Sequence, residues 1–306
     1  MNAATDNLKL RRIGVYALMV CIGLFGCTSI IVFTIGLDEK WNLKRWIGLN
    51  ALFWSLFFLS LILFDVGRRK WYGGAYKKMV VKEAAKGVVD SATYFGKKGL
   101  QKKYVIGTGQ IMVGNTYRSE DLVEGMYRGI SFRRADVYTA ISAKRLVRIL
   151  FQGAWFVLSF KKQFPDIQII SRDFRNEIPK GNDLLTAQEY MVHKFETGWE
   201  RFDANYRCIC RDVEQTKRFL TPQLAEAMLA IKDELFCPVM LGVSDNRMNL
   251  ILWTSRNHME PPFFGKIDPK EEIEQTAAEL GTAHRLIDAL GIEKAVSEEE
   301  NGLWQL

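Results

Sequence analysis

The chain of 306 residues lacks the motifs that mark common catalytic and nucleotide-binding sites. Gly107-Thr108-Gly109 has no third glycine three residues later, and no glycine loop continues into Gly-Lys-Ser or Gly-Lys-Thr, which excludes the common phosphate-binding loops. The three histidines are scattered outside any His-Glu-x-x-His element, and the five cysteines form no C-x-x-C pair. We therefore predict no metal, no cofactor and no recognisable catalytic residue.

Two long stretches without a formal charge indicate membrane helices. They cover residues 13–36 and 46–64, and at a rise of about 1.5 Å per residue each can cross a hydrocarbon core of roughly 30 Å. Core helices of soluble proteins seldom stay free of charge on every face over this length. The first stretch is also too long for the core of a signal peptide. We predict a two-helix transmembrane hairpin within residues 1–66.

Basic residues flank this predicted hairpin on one side of the membrane. Lys9, Arg11 and Arg12 precede the first helix, and six lysines and arginines follow the second, whereas the connection between the helices is weakly basic. The positive-inside rule then predicts a protein of the bacterial inner membrane with both termini in the cytoplasm. Three tryptophans are expected at the membrane interface: Trp41, Trp46 and Trp71.

The segment after the second helix concentrates the positive charge of the chain. Residues 68–103 hold eleven Lys and Arg against two acidic residues, an excess larger than the net charge of +7 of the whole chain. The basic isoelectric point is therefore a local property, and we expect no nucleic-acid partner. Apolar residues recur every three or four positions, and Lys78, Lys82 and Lys86 form a row, which predicts a basic juxtamembrane amphipathic helix over residues 67–103.

Two interpretations of this basic segment are open. Its lysine row can contact anionic headgroups of the inner leaflet, at up to about 1 kcal/mol for each residue close to the surface. Alternatively, the charge only sets the membrane topology, and the row is a solvated face. The candidate residues for lipid or partner binding are Arg68, Arg69, Lys70, Lys77, Lys78, Lys82 and Lys86.

The remaining chain has the pattern of a cytosolic α+β domain over residues 104–292, followed by an acidic tail at 293–306. A strand is predicted over Tyr104–Val113, and an acidic turn or short helix begins at Ser119. Alternating apolar residues predict an antiparallel hairpin over Leu146–Phe160 that turns at Gln152-Gly153.

A second hairpin and several helices are predicted in the last third of the chain. The hairpin covers Pro238–Thr254 and turns at residues 244–247. Asp212 is a candidate N-cap of a short helix, and Thr221-Pro222 begins the next helix. A final helix begins at Asp268-Pro269 and ends near Gly291.

Four short motifs occur in the order and approximate spacing of a known family. They are residues 117–125, 151–160, 202–206 and 217–222. In this respect the chain resembles the bacterial domain-of-unknown-function family numbered 3137, whose members carry two membrane helices near the N-terminus and a mixed domain behind them. Gln152 departs from that pattern, since the family usually has lysine there. The resemblance implies an architecture and brings no established activity or catalytic residue.

We predict a membrane-anchored binding or scaffolding module, with the lipid bilayer and a protein of unknown identity as its partners. The alternative is a membrane-anchored hydrolase or redox enzyme that uses Glu120, Asp121 or Cys208. Cys208 and Cys210 lie two residues apart on one face of a predicted strand, and core packing explains that spacing better than thiol chemistry does.

Overall fold

The computed structural model describes residues 2–38, 43–143, 146–174, 193–254, 264 and 268–291. The chain divides into two compact units, the helical unit (Met1–Met79 with Met259–Pro269) and the mixed unit (Val80–His258 with Lys270–Leu306). The predicted acidic tail lies outside the described residues.

The fold is α+β, as predicted: two long apolar helices precede an antiparallel sheet that is followed by helices. In chain order the elements are α1 (Asn2–Asp38), α2 (Leu43–Val66), a π-helical segment (Gly67–Gly73), α3 (Gly74–Ala84), β1 (Ser91–Phe95), α4 (Lys102–Gly107), β2 (Thr116–Tyr127), β3 (Ile130–Ala143), β4 (Leu146–Ser171), β5 (His193–Phe195), α5 (Glu200–Asn205), β6 (Tyr206–Cys210), α6 (Val213–Phe219), α7 (Pro222–Leu235), β7 (Val239–Leu252) and α8 (Lys270–Ala289).

In the helical unit, α1 and α2 pack as an antiparallel pair. Near one end, the ring of Trp46 lies 5.3 Å from that of Phe33. Near the other end, Nη1 of Arg11 donates to the carbonyl of Trp71 at 2.9 Å. Both helices are long and apolar enough to cross a membrane, and only 6% of the most apolar window of each is buried. The core helices of a soluble protein are mostly buried, and α1 and α2 are not.

In the described part of the mixed unit, seven antiparallel strands form one sheet around the long strand β4. Four strands run in the order β1-β2-β3-β4, β6 and β5 continue beyond β4, and β7 pairs with β4 as well. The first half of β4 pairs with β3 and its end pairs with β6, while β7 accompanies it from Ala154 to Ile170. Strand β4 therefore has partners on both edges over its middle, where Trp155 and Phe156 are fully buried.

The predicted hairpin within Leu146–Phe160 is wrong. Gln152 and Gly153 do not turn; they continue β4 and pair with Tyr138 and Val137 of β3. The predicted hairpin at 238–254 is also wrong, because β7 passes through residues 244–247 as one strand whose pairing with β4 is irregular there. In both cases the alternation of apolar residues, which resembles that of two short strands, belongs to one long strand that is paired with its neighbours.

A sharp turn joins β2 to β3. Arg128 and Gly129 are its two central residues, with φ of 50° and 77°, and Tyr127 pairs with Ile130 across it. Positive φ at both central positions gives the twist that joins two antiparallel strands tightly.

Three local predictions upstream of this turn are also wrong. The helix of the basic segment ends at Ala84, and residues 91–95 form β1, so the predicted helix over residues 67–103 is too long. Tyr104 lies in helix α4 and not in a strand. The acidic residues after Ser119 continue β2 through a bulge between Glu120 and Val123, and do not form a turn or helix.

The predicted helix starts after β6 are confirmed. The side chain of Asp212 accepts hydrogen bonds from the backbone N–H groups of Glu214 and Gln215 and caps α6. Thr221 caps α7, with Pro222 in the first turn. The final helix is α8, and Gly291 follows it with φ of 62°, a conformation that favours glycine at a helix end.

Candidate functional site

The seven basic candidates lie along the helical stretch from the π-helical segment to just past α3, and their exposure differs. Arg68, Arg69 and Lys70 are exposed, and the side chains of both arginines lie near Asp65, at 3.8 and 2.7 Å. Lys77 is buried, with 9% of its surface exposed, so it cannot be part of a lipid-facing row.

Of the other three candidates, Lys78 and Lys82 lie one turn apart on α3, and Lys86 lies in the turn after this helix. Lys78, Lys82 and Lys86 are all exposed. Lys86 donates to Glu83 at 2.6 Å, which neutralises part of its charge. Among the seven candidates, Lys70, Lys78 and Lys82 therefore combine exposure with no described carboxylate within ion-pair distance.

The three tryptophans expected at an interface are placed differently. Trp46 packs on α1, over Gly36, and its Nε1 donates to the carbonyl of Phe33 at 3.4 Å. Trp71 is 47% exposed and its ring covers Gly14. Trp41 lies outside the described residues.

The mixed unit contains a polar groove that no sequence motif predicts. Helix α4 and the loop behind it lie over strands β4 and β7 and enclose a cavity of 540 Å³. A neighbouring cavity of 680 Å³ extends toward the loop before α4. Both are lined by Lys103, Tyr104 and Arg247, and we call the two neighbouring cavities together the α4 groove.

Two glutamines form the most buried polar part of the α4 groove. Gln110 and Gln168 are 4% and 1% exposed, and both line the 540 Å³ cavity. The side-chain oxygen of each has no hydrogen-bond partner among the residues that the structure describes. The amide of Gln110 lies directly over Gly242, where a Cβ would overlap it. Gly242 therefore makes room for this amide on the surface of the sheet.

A second polar cluster supports the middle of the groove. The buried Asn249 accepts hydrogen bonds from the Tyr104 hydroxyl at 2.7 Å and from Nε1 of Trp155 at 3.1 Å. The guanidinium of Arg247 lies 5.9 Å from the centre of the Tyr104 ring. Burial raises the pKa of Tyr104 to about 12, so its hydroxyl keeps its proton and continues to donate to Asn249 at neutral pH.

The two ends of the groove differ in charge. Around the 680 Å³ cavity stand four basic side chains and one carboxylate: Lys98, Lys103, Arg133, Arg247 and Glu124. Around the 540 Å³ cavity, two carboxylates, Asp166 and Asp245, offset most of the charge of three basic residues. The first end is therefore cationic, and the second end is polar and close to neutral.

The three residues of the enzyme alternative do not come together as a catalytic set. Glu120 is exposed, whereas Asp121 is buried, has φ of 57°, and accepts a hydrogen bond from the Tyr94 hydroxyl at 2.5 Å. Cys208 lies on β6, and burial raises the pKa of its thiol to about 12, which suppresses the nucleophilic thiolate. Cys208 and Cys210 are buried, as their predicted role in packing requires.

The sequence pattern does not predict the α4 groove, because the residues that line it come from distant parts of the chain. Tyr104 and Asn249 are 145 residues apart, and a polar residue inside an apolar strand does not reveal its partner. The sequence feature that points to this groove is the presence of a polar residue in each of two otherwise apolar strands, Gln168 in β4 and Asn249 in β7.

Comparison with known proteins gives one family and one solved structure. The profile of the family described as "Protein of unknown function (DUF3137)" matches residues 149–292, which leaves the two long helices outside the match. No curated protein sequence matches the chain significantly. The chain is similar to the crystal structure of the mycobacterial trehalose monomycolate transport factor A, at 11% identity and a TM-score of 0.38, over 71% of this chain and 96% of the other. The family predicted from the short motifs is thus confirmed by a family-profile match over residues 149–292, the part of the chain from β4 to α8.

Proposed function

We propose that the protein is a binding module anchored in the inner membrane by α1 and α2, with its mixed unit in the cytoplasm. The observation that carries this proposal is the exposure of the two apolar helices. Leu24 of α1 is 61% exposed and Phe58 of α2 is 56% exposed, and such residues line both helices. Lipid tails would remove this surface from water, which a soluble protein of the same structure could not do.

Contact with anionic headgroups is the second part of the proposal. Lys70, Lys78 and Lys82 are exposed and follow α2 within a few turns. Each such cation near an anionic surface contributes about 1 kcal/mol. Three of them would favour anionic over zwitterionic lipid around the protein.

Charge reversal of these lysines tests the lipid contact. We expect the triple variant Lys70→Glu, Lys78→Glu, Lys82→Glu to lower the ratio of bound phosphatidylglycerol to phosphatidylcholine by roughly tenfold, because attraction becomes repulsion. The measurement is native mass spectrometry of the intact protein released from mixed-lipid nanodiscs.

The matched control reverses three exposed lysines of the mixed unit and so changes the net charge equally: Lys161, Lys162 and Lys194. If both triple variants change the lipid ratio to the same extent, the basic segment has no specific lipid contact. Its charge then serves only to orient the helices.

The proposed orientation predicts that a reporter protein fused to the C-terminus lies in the cytoplasm. Fluorescent protein fused at the C-terminus is expected to be bright, and alkaline phosphatase fused at the same point inactive, because the basic flanks of α1 and α2 stay in the cytoplasm. An active phosphatase fusion would place the mixed unit in the periplasm and refute the orientation.

A protein partner is favoured by an exposed apolar hairpin tip in the mixed unit. Leu146 and Val147 at the start of β4 are 78% and 63% exposed, and Ile149 is 49% exposed. A contiguous apolar patch is more common at interaction surfaces than elsewhere on a protein. Crosslinking of the intact protein in native membranes, followed by purification, would identify a partner bound there.

A further inference from the structure

We infer that the β3–β4 tip, residues 141–149, binds an extended acidic segment of another protein, which adds to the open edge of β4 as a further strand. This inference rests on the protein partner proposed above and specifies the kind of segment that such a partner presents. All residues of the tip belong to the mixed unit.

One edge of β4 is open along the tip. β4 pairs with β3 from Leu146 onward, whereas its pairing with β7 begins only at Ala154. Among the described residues, no strand other than β3 pairs with residues 146–151, and no backbone group outside the sheet bonds them. Backbone groups of alternate residues therefore point away from β3 without a strand partner, and such a row is a template for a further strand.

The opposite edge of the tip is closed by a side chain. Asn115 precedes β2, and its amide nitrogen donates to the carbonyl of Ser142 at 2.8 Å. The amide oxygen of Asn115 accepts from the Ser142 N–H, also at 2.8 Å. This side chain occupies backbone groups that a strand beside β3 would need, so the β4 edge is the one left for strand addition.

The open edge of β4 also carries large apolar side chains. Leu146, Val147 and Ile149 are exposed, and Ile141 on the paired strand β3 is 39% exposed. The outermost strands of the sheet, β1 and β5, are five and three residues long, and short edge strands are a common protection against unwanted pairing. The tip combines a backbone edge with apolar surface, and an added strand covers both.

A bilayer would cover only part of this surface. Backbone N–H and C=O groups need hydrogen-bond partners, and lipid tails supply none. Burial of Leu146 and Val147 among lipid tails would therefore carry the open edge of β4 into an environment without donors or acceptors. A strand bonds this edge and contacts the aliphatic side chains at the same time.

The charge of the tip specifies an acidic segment of a different protein. Residues 137–165 contain five basic residues and no acidic one, and Lys144, Arg145 and Arg148 fall within the tip. Opposite charges on neighbouring strands stabilise their pairing, and like charges destabilise it. A second copy of the chain would bring the same basic residues against this edge, whereas a segment that alternates acidic and apolar residues complements it.

A synthetic peptide of four Glu-Val repeats, labelled with fluorescein, tests the inference. Fluorescence anisotropy measures its binding to the intact protein in neutral detergent. We expect saturable binding that is at least tenfold weaker in Arg148→Glu, because attraction at the edge becomes repulsion. Lys162→Glu changes the net charge equally at an exposed position of β4 outside the tip, and it should bind within twofold of the unchanged protein.

A modified peptide separates strand addition from charge attraction alone. The same peptide with a methyl group on every backbone nitrogen keeps its side chains and its charge but cannot donate to a strand. We expect it to bind at least tenfold more weakly than the unmodified peptide. Equal binding of the two peptides, or no binding of the unmodified one, would overturn the inference.

Photo-crosslinking in isolated native membranes identifies what covers the tip. The intact protein carries p-benzoylphenylalanine in place of Val147, and the same residue in place of Phe236, which is 92% exposed outside the tip, is the control. A protein adduct that forms at position 147 alone and that the Glu-Val peptide displaces would support strand addition.

The other products of this crosslinking would each overturn the inference. A lipid adduct would assign the tip to the bilayer, and an adduct of two copies of the chain would assign it to self-association. A protein adduct that the Glu-Val peptide leaves in place would confirm the proposed partner and refute acidic strand addition as its mode of binding.

Discussion

Replacement of Glu279 by alanine is expected to destabilise the mixed unit by about 3–5 kcal/mol, because it leaves a buried guanidinium without its main partner. Arg134 of β3 is 2% exposed, and its Nη2 and Nε donate to Oε2 of Glu279 in α8 at 2.7 and 3.1 Å. Its Nη1 lies 2.7 Å from Asp136. Hydrogen exchange of peptides from β3 and α8, measured by mass spectrometry, should accelerate at least a hundredfold.

Glu274→Ala is the control for this prediction. Glu274 lies on the same helix, is exposed, and lies 3.8 Å from Lys270, so its loss should cost about 0.5 kcal/mol or less. Equal acceleration of exchange in the two variants would mean that the buried ion pair adds no stability.

The pH dependence of this ion pair follows from the same contacts. Burial lowers the pKa of Arg134, but Asp136 and Glu279 raise it by more, so it ends above its ordinary value. A cation with a raised folded pKa contributes fully below its unfolded pKa and loses that contribution only as pH rises through the folded value. The contribution of Arg134 should therefore be constant between about pH 6 and 9.

Substitution of Gly153 by alanine is expected to cost about 3 kcal/mol. A Cβ at this position of β4 would overlap the carbonyl oxygen of Leu252 and lie 3.0 Å from the backbone nitrogen of Thr254. Backbone atoms cannot rotate away as a side chain can, so β4 and the end of β7 must separate. Hydrogen exchange in peptides from both strands, measured by mass spectrometry, should accelerate by a factor that corresponds to this loss of stability.

Gly107→Ala is the matched control, since a Cβ there meets nothing within 4 Å. Alanine is preferred over glycine in a helix, and the change at the end of α4 should be neutral or slightly stabilising. If Gly153→Ala also left the stability unchanged, the end of β7 could not lie as close to Gly153 as the structure places it.

Local chemistry could be predicted from the sequence wherever neighbouring residues decide the structure. The caps at Asp212 and Thr221 were predictable because each side chain bonds a backbone group two or three residues away. The two long apolar helices were predictable for the same reason, since length and the absence of charge are properties of a continuous stretch.

Strand pairing could not be predicted, because it depends on residues distant in sequence. The Gln152-Gly153 pair has the composition of a turn, yet Gly153 is needed for the approach of Leu252, about one hundred residues later. The left-handed residue Asp121 likewise lies in the bulge of β2, where it accepts a hydrogen bond from Tyr94, 27 residues earlier in the chain.

The same division applies to the candidate sites. The lysine row of α3 is a feature of one helix, and the spacing of Lys78 and Lys82 already predicts a shared face. The burial of Lys77, and the position of Gln110 and Gln168 along one cavity, are decided only when separate elements pack together. The sequence by itself determined the two long apolar helices, the basic segment and the helix caps, because these rest on the composition of continuous stretches and on short-range hydrogen bonds. Only the tertiary structure decided the sheet order and the α4 groove, because burial and cavities arise from long-range packing that a linear pattern does not encode.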